Sequence, residues 1–394
     1  MRAVADVAEP GVDAALANHL VMSPAVFARA GLERYAVKVH GSDLSYTVRP
    51  NPERFVPPSR EGLEQAGAAL VGSRHTAEDL WATVDLDGLP DRTLLGPPGV
   101  DVRAFRPLPP DEAATRLRRL AAGLERGEGR GAFGRDTAEA ARAAAWFAGA
   151  GGPRVLFVGK FLVNKGVDLL LAAWPLVVRE HPDARLLLTG FGAFRDGAER
   201  LWAALGRGDV DEARELARRG RALEGGEDAR PLRLLAEFLG DPPPGYAAAA
   251  RAAAGSVAVS GRLEHDEIAA VAPVADALVM PSTFPEAFGM VAAEAAACGA
   301  LPVSAAHSGM AEVSARLAEA VPADVAGLLS FEVESRPVEG IAERVVAWLA
   351  RDPAERRAIG ARLAARVDQL WSWEGVASGV VAAARGEPSS LPRP

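Results

Sequence analysis

The stretch PSTFPEAFGMVAAEA, residues 281–295, decides the fold. The apolar run 277–280 before it predicts a short buried strand, and the alanine-rich run 291–298 predicts a helix. Glu286 therefore lies on the loop between strand and helix, and Glu294 lies inside the helix. A helix N-terminus at the carboxyl end of a parallel strand presents free backbone N–H groups and a positive dipole end, which suit a diphosphate. The stretch thus predicts a diphosphate site with a carboxylate on either side for hydroxyl groups.

A basic loop accompanies this stretch, in RVLFVGKFLVNKGVD, residues 154–168. Its apolar start predicts a strand, and Lys160 and Lys165 flank the loop that follows. Both ammonium groups can converge on a diphosphate there and stabilise an anionic leaving group without a metal. The alternative for Lys160 and Lys165 is that both are solvated surface residues. The alternative for Glu294 is that it is an exposed residue of the helix.

These stretches resemble the Glu-x7-Glu signature and the donor-domain start of the retaining glycosyltransferases of family 4, the glycogen-synthase-like group. The resemblance implies an α/β chain of GT-B architecture, in which two Rossmann-like, doubly wound domains face a cleft. It implies that Glu286 binds donor-sugar hydroxyls and that Glu294 binds ribose hydroxyls. It also implies that the backbone of Gly261-Arg262-Leu263 meets the nucleobase. Family members often carry Arg where this chain has Lys160. The implied donor-binding residues are Gly159, Lys160, Lys165, Arg262, Leu263, Glu286, Phe288, Gly289, Met290 and Glu294, with backbone N–H groups supplied by Phe288, Gly289 and Met290.

One histidine belongs to the same resemblance. His40 ends a strand predicted over residues 35–40 and begins HGSD, residues 40–43, which resembles the loop whose histidine faces the transferring sugar. A structural histidine is the alternative. The implied catalytic residues are His40, Glu286, Lys160 and Lys165. Glu312, in HSGMAE at residues 307–312, is expected to cap or orient its own loop.

Composition excludes several classes of protein. The 394 residues suffice for two domains, and a formal charge of −8 argues against general nucleic-acid binding. The sequence has no membrane-length apolar run and no signal-peptide core, which predicts a cytoplasmic protein. Contact of local basic patches with an anionic membrane surface stays open as an alternative. Cys298 is the only cysteine, and the histidines show no clustered spacing, so we expect no metal site.

The sequence predicts four segments along the chain. In the first, residues 1–107, strands are predicted over residues 35–40, 68–72 and 92–95, with a shorter apolar run at 19–22. Nothing before Val12 resembles the strand and glycine-rich loop that open the family's first domain, so we expect a truncated N-terminal domain. The segments are an incomplete N-terminal acceptor-side domain, 1–107; a helical connector, 108–152; a donor domain, 153–370, with a helical insertion at 195–256; and a C-terminal helix that returns to the N-terminal domain, with a tail, 371–394.

The resulting prediction is a metal-independent retaining glycosyltransferase without a cofactor. Its co-substrate would be a nucleotide-diphosphate sugar, and its acceptor is not identified by the sequence. Two alternatives stay open: a GT-B phosphorylase or sugar-nucleotide epimerase, and an inactive sugar-nucleotide-binding remnant. The insertion at 195–256 is expected to be a peripheral helical pair, with a lid over the cleft as the alternative.

Overall fold

Two parallel sheets organise the chain. The computed structural model describes residues 11–128, 134–387 and 391–394. Every strand pair in both sheets is parallel. Parallel strands need long crossover connections that place helices on the sheet faces, which explains the alternation of apolar runs and amphipathic segments.

The first sheet has four strands in chain order. The strands predicted near residues 35–40, 68–72 and 92–95 are confirmed. The prediction at 19–22 is wrong, because His19 and Met22 have φ values of 75° and 76° and the chain turns there; the strand comes just before. The elements are β1 (Leu16–Asn18), α1 (Ser23–Arg29), β2 (Ala36–Lys38), α2 (Pro52–Gln65), β3 (Ala68–Val71), α3 (Arg74–Val84) and β4 (Thr93–Leu95), with a π-helical turn at Asp43–Val48.

Two connector helices, α4 (Pro110–Glu125) and α5 (Thr137–Ala148), follow the first sheet. Leu117 of α4 and Phe147 of α5 are fully buried in the same apolar cluster as the strands of the second sheet. The sequence also predicts a glycine-rich turn over residues 127–135, which lies partly outside the described residues. The connector therefore packs as part of the second unit.

The second sheet has six strands in the order β10-β9-β8-β5-β6-β7. From β5 the chain adds β6 and β7 on one side, and it then returns to place β8 on the other side of β5. The strand order thus reverses between β5 and β8, the kind of point where open α/β sheets bind ligands. The strands are β5 (Arg154–Val158), β6 (Arg185–Thr189), β7 (Val257–Gly261), β8 (Ala277–Met280), β9 (Leu301–Ala305) and β10 (Ser330–Phe331).

Within the described residues, twelve α-helices follow β5 along the chain. They are α6 (Val167–Glu180), α7 (Arg195–Gly206), α8 (Val210–Arg219), α9 (Arg233–Gly240), α10 (Tyr246–Ala253), α11 (His265–Val271), α12 (Met290–Ala297), α13 (Ser308–Ala318), α14 (Ala323–Ala326), α15 (Pro337–Leu349), α16 (Pro353–Trp371) and α17 (Trp373–Arg385). The described residues contain no helix long and apolar enough to cross a membrane.

The insertion at 195–256 holds four helices, α7 to α10, where a helical pair was expected. It buries α6, and the Tyr246 hydroxyl donates a hydrogen bond to the Ala172 carbonyl at 2.7 Å. Trp174 Nε1 of α6 donates to Ser256 Oγ at 2.8 Å. The apolar helix α6 thus obtains its second buried face from the insertion.

The chain crosses from the second unit to the first at Ser372. One helix was expected from Trp371 to Ala384, but α16 ends at Trp371 and α17 begins at Trp373, because Ser372 is extended with ψ 144°. Ser372 forms an isolated parallel bridge with Val100. Ala383 and Ala384 of α17 then pack against the first sheet.

Candidate active site

A cavity of about 580 Å³ lies between the two units, at the carboxyl ends of their strands. Loops of both units line it, and no residue of the insertion at 195–256 does. The insertion is therefore peripheral to the cavity. Residues predicted from sequence that line the cavity are His40, Gly159, Lys160, Lys165, Glu286, Gly289 and Met290, whereas Arg262, Leu263, Phe288 and Glu294 lie outside its lining.

Lys165 and Glu286 form an ion pair within the cavity. Their side chains are 30% and 22% exposed. Ser282 Oγ lies 3.0 Å from Glu286 Oε1, and the Glu286 backbone N–H donates to Ser308 Oγ at 2.9 Å. The loops after β5 and β8 were expected to present these two side chains separately, one to the diphosphate and one to the sugar. The structure instead joins them.

The loop after β5 that carries Lys160 and Lys165, called the lysine loop below, is held in place from two sides. The Thr283 N–H donates to the Asn164 carbonyl at 2.9 Å, which joins the loops after β5 and β8. From the insertion, Glu224 accepts a hydrogen bond from the Val163 N–H at 2.8 Å. Lys160 lies exposed at the cavity wall. Both lysines thus project from a short, well-anchored loop.

Asn164 was missed by the sequence analysis. Asn164 lines the cavity, and its Oδ1 atom is buried without a hydrogen-bond partner among the described residues. A buried polar atom without a partner is costly, and a hydroxyl group of a ligand would satisfy it. Its place between the two lysines was the available signal.

The N-terminus of α12 faces the cavity, as the strand–loop–helix pattern of residues 277–298 predicts. Gly289 caps α12 in the left-handed region, with φ 109°, which glycine adopts without strain. Gly289, Met290 and Val291 line the cavity. The Phe288 ring packs edge-on against Trp371, with centroids 5.2 Å apart, so only its backbone is available for binding.

Glu294 is buried, with 7% of its surface exposed. The alternative that Glu294 is an exposed helix residue is therefore wrong. Its Oε1 lies 2.7 Å from Nε2 of His265, at the start of α11. Burial raises the pKa of Glu294, and the contact with His265 opposes that shift. The His265 ring in turn packs on Phe105, with centroids 4.7 Å apart. The ribose role of Glu294 stays a prediction.

His40 is held in one orientation on the opposite wall. Its Nε2 lies 2.8 Å from Asn18 Oδ1, and its ring packs on His19 with centroids 4.5 Å apart. Asp43 accepts hydrogen bonds from the backbone N–H groups of Leu20 at 2.9 Å and His40 at 3.3 Å. Burial lowers the pKa of His40, so its neutral form faces the cavity at pH 7.

Glu312 joins the two units. It was expected to cap or orient its own loop, but its carboxylate accepts hydrogen bonds from the backbone N–H groups of Arg74 at 2.8 Å and His75 at 3.0 Å. These groups begin α3 of the first unit, so a residue of one unit caps a helix of the other. Thr76 Oγ1 also donates to the Ala287 carbonyl at 3.4 Å.

Within the described residues, no three His, Cys, Asp or Glu side chains come together as metal ligands. Each carboxylate in or beside the cavity has another partner instead. Asp79 of the first unit pairs with Arg49 at 2.6 Å, while Glu286 pairs with Lys165 and Glu294 with His265.

Residues 246–360 match the family model "Glycosyl transferases group 1". This part of the second unit is similar to group 1 glycosyl transferases. The matched region contains the loops after β7 and β8, with Glu286 and Glu294, but not the lysine loop after β5.

The relatives of this chain are distant and longer. It is 24% identical over 369 residues to the GDP-mannose-dependent monoacylated alpha-(1-6)-phosphatidylinositol monomannoside mannosyltransferase of Corynebacterium glutamicum, covering 88% of this chain and 68% of that protein. It is 30% identical over 249 residues to glycogen synthase of Mycobacterium tuberculosis, covering 62% and 46%. It is 30% identical over 357 residues to D-inositol 3-phosphate glycosyltransferase of Geodermatophilus obscurus, covering 88% and 58%. The chain thus spans about half to two thirds of these curated relatives.

Solved structures confirm the GT-B fold of this chain. Sucrose-phosphate synthase from Thermosynechococcus elongatus is similar with a TM-score of 0.52 and 22% identity, covering 92% of this chain and 70% of that one. Anabaena HepE in complex with UDP is similar with a TM-score of 0.56 and 17% identity, covering 95% and 79%.

Proposed function

We propose that this chain is a retaining glycosyltransferase that moves a sugar from a nucleotide-diphosphate sugar to an acceptor hydroxyl. One observation carries the proposal: Lys160, Lys165 and Glu286 line one cavity beside the N-terminus of α12. Their loops follow β5 and β8, the two strands between which the strand order reverses. His40 of the first unit lines the opposite wall.

The use of lysine supports a role for this loop. The chain has 44 Lys and Arg residues, and only three are lysine: Lys38, Lys160 and Lys165. A surface cation in this chain is almost always arginine, so two lysines in one cavity loop are not expected of a solvated surface. The compact ammonium group suits a phosphate that must bind and leave, since it makes no rigid bidentate contact.

In the proposed reaction, the bond between sugar C1 and the diphosphate oxygen breaks, and the acceptor oxygen forms its bond to C1 on the same face. Lys160, Lys165 and the N–H groups of α12 stabilise the charge on the leaving diphosphate, without a metal. That diphosphate takes the acceptor proton. Glu286 accepts hydrogen bonds from sugar hydroxyls and is not a covalent nucleophile.

The donor is proposed to lie on the second unit and the acceptor on the first. The Corynebacterium relative is named as GDP-mannose-dependent, and the Anabaena structure contains UDP. Both names support a nucleoside diphosphate as the common part of the donor. Glu294 is proposed to bind ribose hydroxyls, which requires His265 to move from its carboxylate.

An activity assay tests the reaction. The protein is incubated with GDP-mannose, UDP-glucose or ADP-glucose, together with glycogen, inositol phosphate or phosphatidylinositol vesicles, with and without EDTA. We expect release of nucleoside diphosphate and an α-linked product by NMR, unchanged by EDTA. A β-linked product contradicts retention, and strict dependence on a divalent ion contradicts the metal-independent chemistry. Phosphorolysis or an epimerised sugar nucleotide favours the alternative enzymes, and binding without turnover favours a binding remnant.

Lysine labelling tests the site directly. Lys38 is half-buried and its Nζ donates a hydrogen bond to the Gly96 carbonyl, so it serves as an internal reference for the acylation of Lys160 and Lys165 by an amine-acylating reagent. We expect a nucleoside diphosphate to protect both residues, as measured by mass spectrometry, while the free nucleoside protects neither. Equal protection by nucleoside and nucleoside diphosphate would contradict the diphosphate assignment.

A further inference from the structure

The insertion at 195–256 reaches the lysine loop through a carboxylate. A short helical turn, Gly220–Glu224, follows α8 and ends at Glu224. Glu224 Oε1 accepts a hydrogen bond from the Val163 N–H at 2.8 Å. No residue of the insertion lines the cavity, so the insertion can act on the cavity only through contacts of this kind.

The N–H group that Glu224 accepts begins the turn that carries Lys165. Val163–Lys165 is a short helical turn, in which the Lys165 N–H donates to the Leu162 carbonyl at 2.9 Å. The first N–H groups of a helical turn have no partner inside it, and a polar side chain just before the turn often supplies one. Leu162 stands at that position and has no polar side chain. Glu224 therefore caps this turn from a position 61 residues away in the chain.

The insertion holds Glu224 in place. The Oε2 atom of Glu224 lies 3.4 Å from Nη1 of Arg221, and Nε of Arg221 lies 3.7 Å from Oδ2 of Asp228. The Arg221 N–H donates to the Arg230 carbonyl at 2.9 Å. The Glu224 side chain is only 17% exposed. A carboxylate fixed in this way loses little freedom when it accepts a hydrogen bond, so its contact with Val163 has a defined geometry.

The rest of the turn faces the cavity. Asn164 and Lys165 both line it. Ser282 Oγ donates to the Asn164 carbonyl at 3.0 Å, and Lys165 pairs with Glu286. The turn is thus tied to the loop after β8 on one side and to the insertion on the other. Binding groups must be held to within about 0.5 Å of their working positions, so a shift at Val163 would displace the ammonium group two residues further on.

We propose that Glu224 is a positioning residue of the diphosphate site, an assignment that rests on the proposed nucleotide-sugar chemistry. By capping the turn, Glu224 fixes the direction in which the Lys165 side chain leaves the backbone. A cation that is already in position needs no ordering when the diphosphate binds. The cap therefore contributes to affinity for the diphosphate and not to affinity for the nucleoside. The insertion acts on the cavity without lining it.

Calorimetry with UDP, GDP and the nucleosides uridine and guanosine tests the assignment. Glu224→Ala removes the acceptor, and Glu224→Gln keeps an amide oxygen in its place. We expect Glu224→Ala to weaken binding of both diphosphates about tenfold, because a charged hydrogen bond is lost, and to leave nucleoside affinity unchanged. Glu224→Gln should bind both diphosphates nearly as tightly as the wild type. Glu215→Ala is the matched control, since Glu215 lies on α8 of the same insertion and pairs with the exposed Arg218.

Amine acylation without any ligand gives a second readout. In Glu224→Ala the turn no longer holds Lys165 against Glu286, so Lys165 should react faster relative to Lys38 than in the wild type. Mass spectrometry measures the ratio of the two modified lysines. Glu224→Gln and Glu215→Ala should keep the wild-type ratio.

The outcomes separate the positioning role from the proposed function. Diphosphate affinities that Glu224→Ala leaves unchanged overturn the positioning role and leave the glycosyltransferase proposal intact. Equal losses for diphosphate and nucleoside also overturn it, since the contact would then support the second unit as a whole. Glu224→Gln binding as weakly as Glu224→Ala overturns it too. If the wild type binds neither diphosphate, the proposed function fails; an unchanged acylation ratio in Glu224→Ala then overturns the positioning role as well, and a raised ratio retains the hold of Glu224 on Lys165.

Discussion

Replacing Glu286 by Gln should strengthen binding of a nucleoside diphosphate and slow sugar transfer. In the structure Lys165 is paired with Glu286, so the diphosphate must compete with a carboxylate for this cation. Glu286→Gln keeps the side-chain shape and a hydrogen-bond acceptor towards Ser282 but removes the charge. Lys165 is then released, and the repulsion between carboxylate and diphosphate disappears.

The size of the effect follows from the exposure of the pair. Ion pairs in solvent contribute about 0.2–1 kcal/mol, and the side chains here are only 30% and 22% exposed, so we take the upper end, about 1 kcal/mol. A free energy of this size is about a fivefold gain in affinity. Transfer should fall by about tenfold or more, because a charged hydrogen bond to the donor sugar contributes about 1.5–3 kcal/mol.

Calorimetry with UDP, GDP and ADP measures the first effect, and initial rates measure the second. Amine acylation adds an independent readout, because Lys165 should react faster once Glu286 no longer pairs with it. Glu215→Gln is the matched control, since it breaks an exposed ion pair with Arg218 on the insertion. Weaker or unchanged affinity in Glu286→Gln would refute the competition between carboxylate and diphosphate.

Three other substitutions test single contacts. Glu294→Gln should weaken nucleoside diphosphate binding by about tenfold at an unchanged unfolding temperature, since the lost contact is a charged hydrogen bond; equal affinity with lost stability would make Glu294 structural. Burial raises the pKa of Asp168 to about 7, so its contribution to stability is present below its unfolded pKa and lost as pH rises through 7. Asp168→Asn should therefore raise the unfolding temperature at pH 8 and not at pH 4, and the reverse order in thermal melts would contradict this. Glu312→Ala should cost about 1 kcal/mol of unfolding free energy by uncapping α3, measured by urea unfolding, while nucleotide affinity stays the same; an unchanged free energy would show that the cap is dispensable.

The elements of the site could be predicted because they are local. The apolar run 277–280 and the alanine-rich run 291–298 correspond to β8 and α12 within a residue. The strand before Lys160 was predicted in the same way, and strand–loop–helix order places both loops at the carboxyl edge of a parallel sheet. The resemblance to glycosyltransferases is confirmed by the family match over residues 246–360, which contain Glu286 and Glu294.

Contacts between distant segments could not be predicted. Lys165 and Glu286 are 121 residues apart, and they meet because β8 lies beside β5, a strand order that alternating patterns do not specify. Glu312 and Arg74 are 238 residues apart and meet only when the two units close on each other.

Two arginines and one lysine show how the contacts of these cations differ in this chain. Arg135 pairs with Glu267 through two nitrogens, and Arg154 donates to three carbonyls of residues 147–150. Such planar, multiply bonded contacts are hard to exchange. Lys165 makes one contact, with Glu286, in a cavity that both units close. A single charged contact can be given up to a diphosphate and restored when it leaves, which is what a turnover cycle requires. Lys160 lies exposed on the same loop, so it can approach and leave the proposed diphosphate without giving up a buried contact.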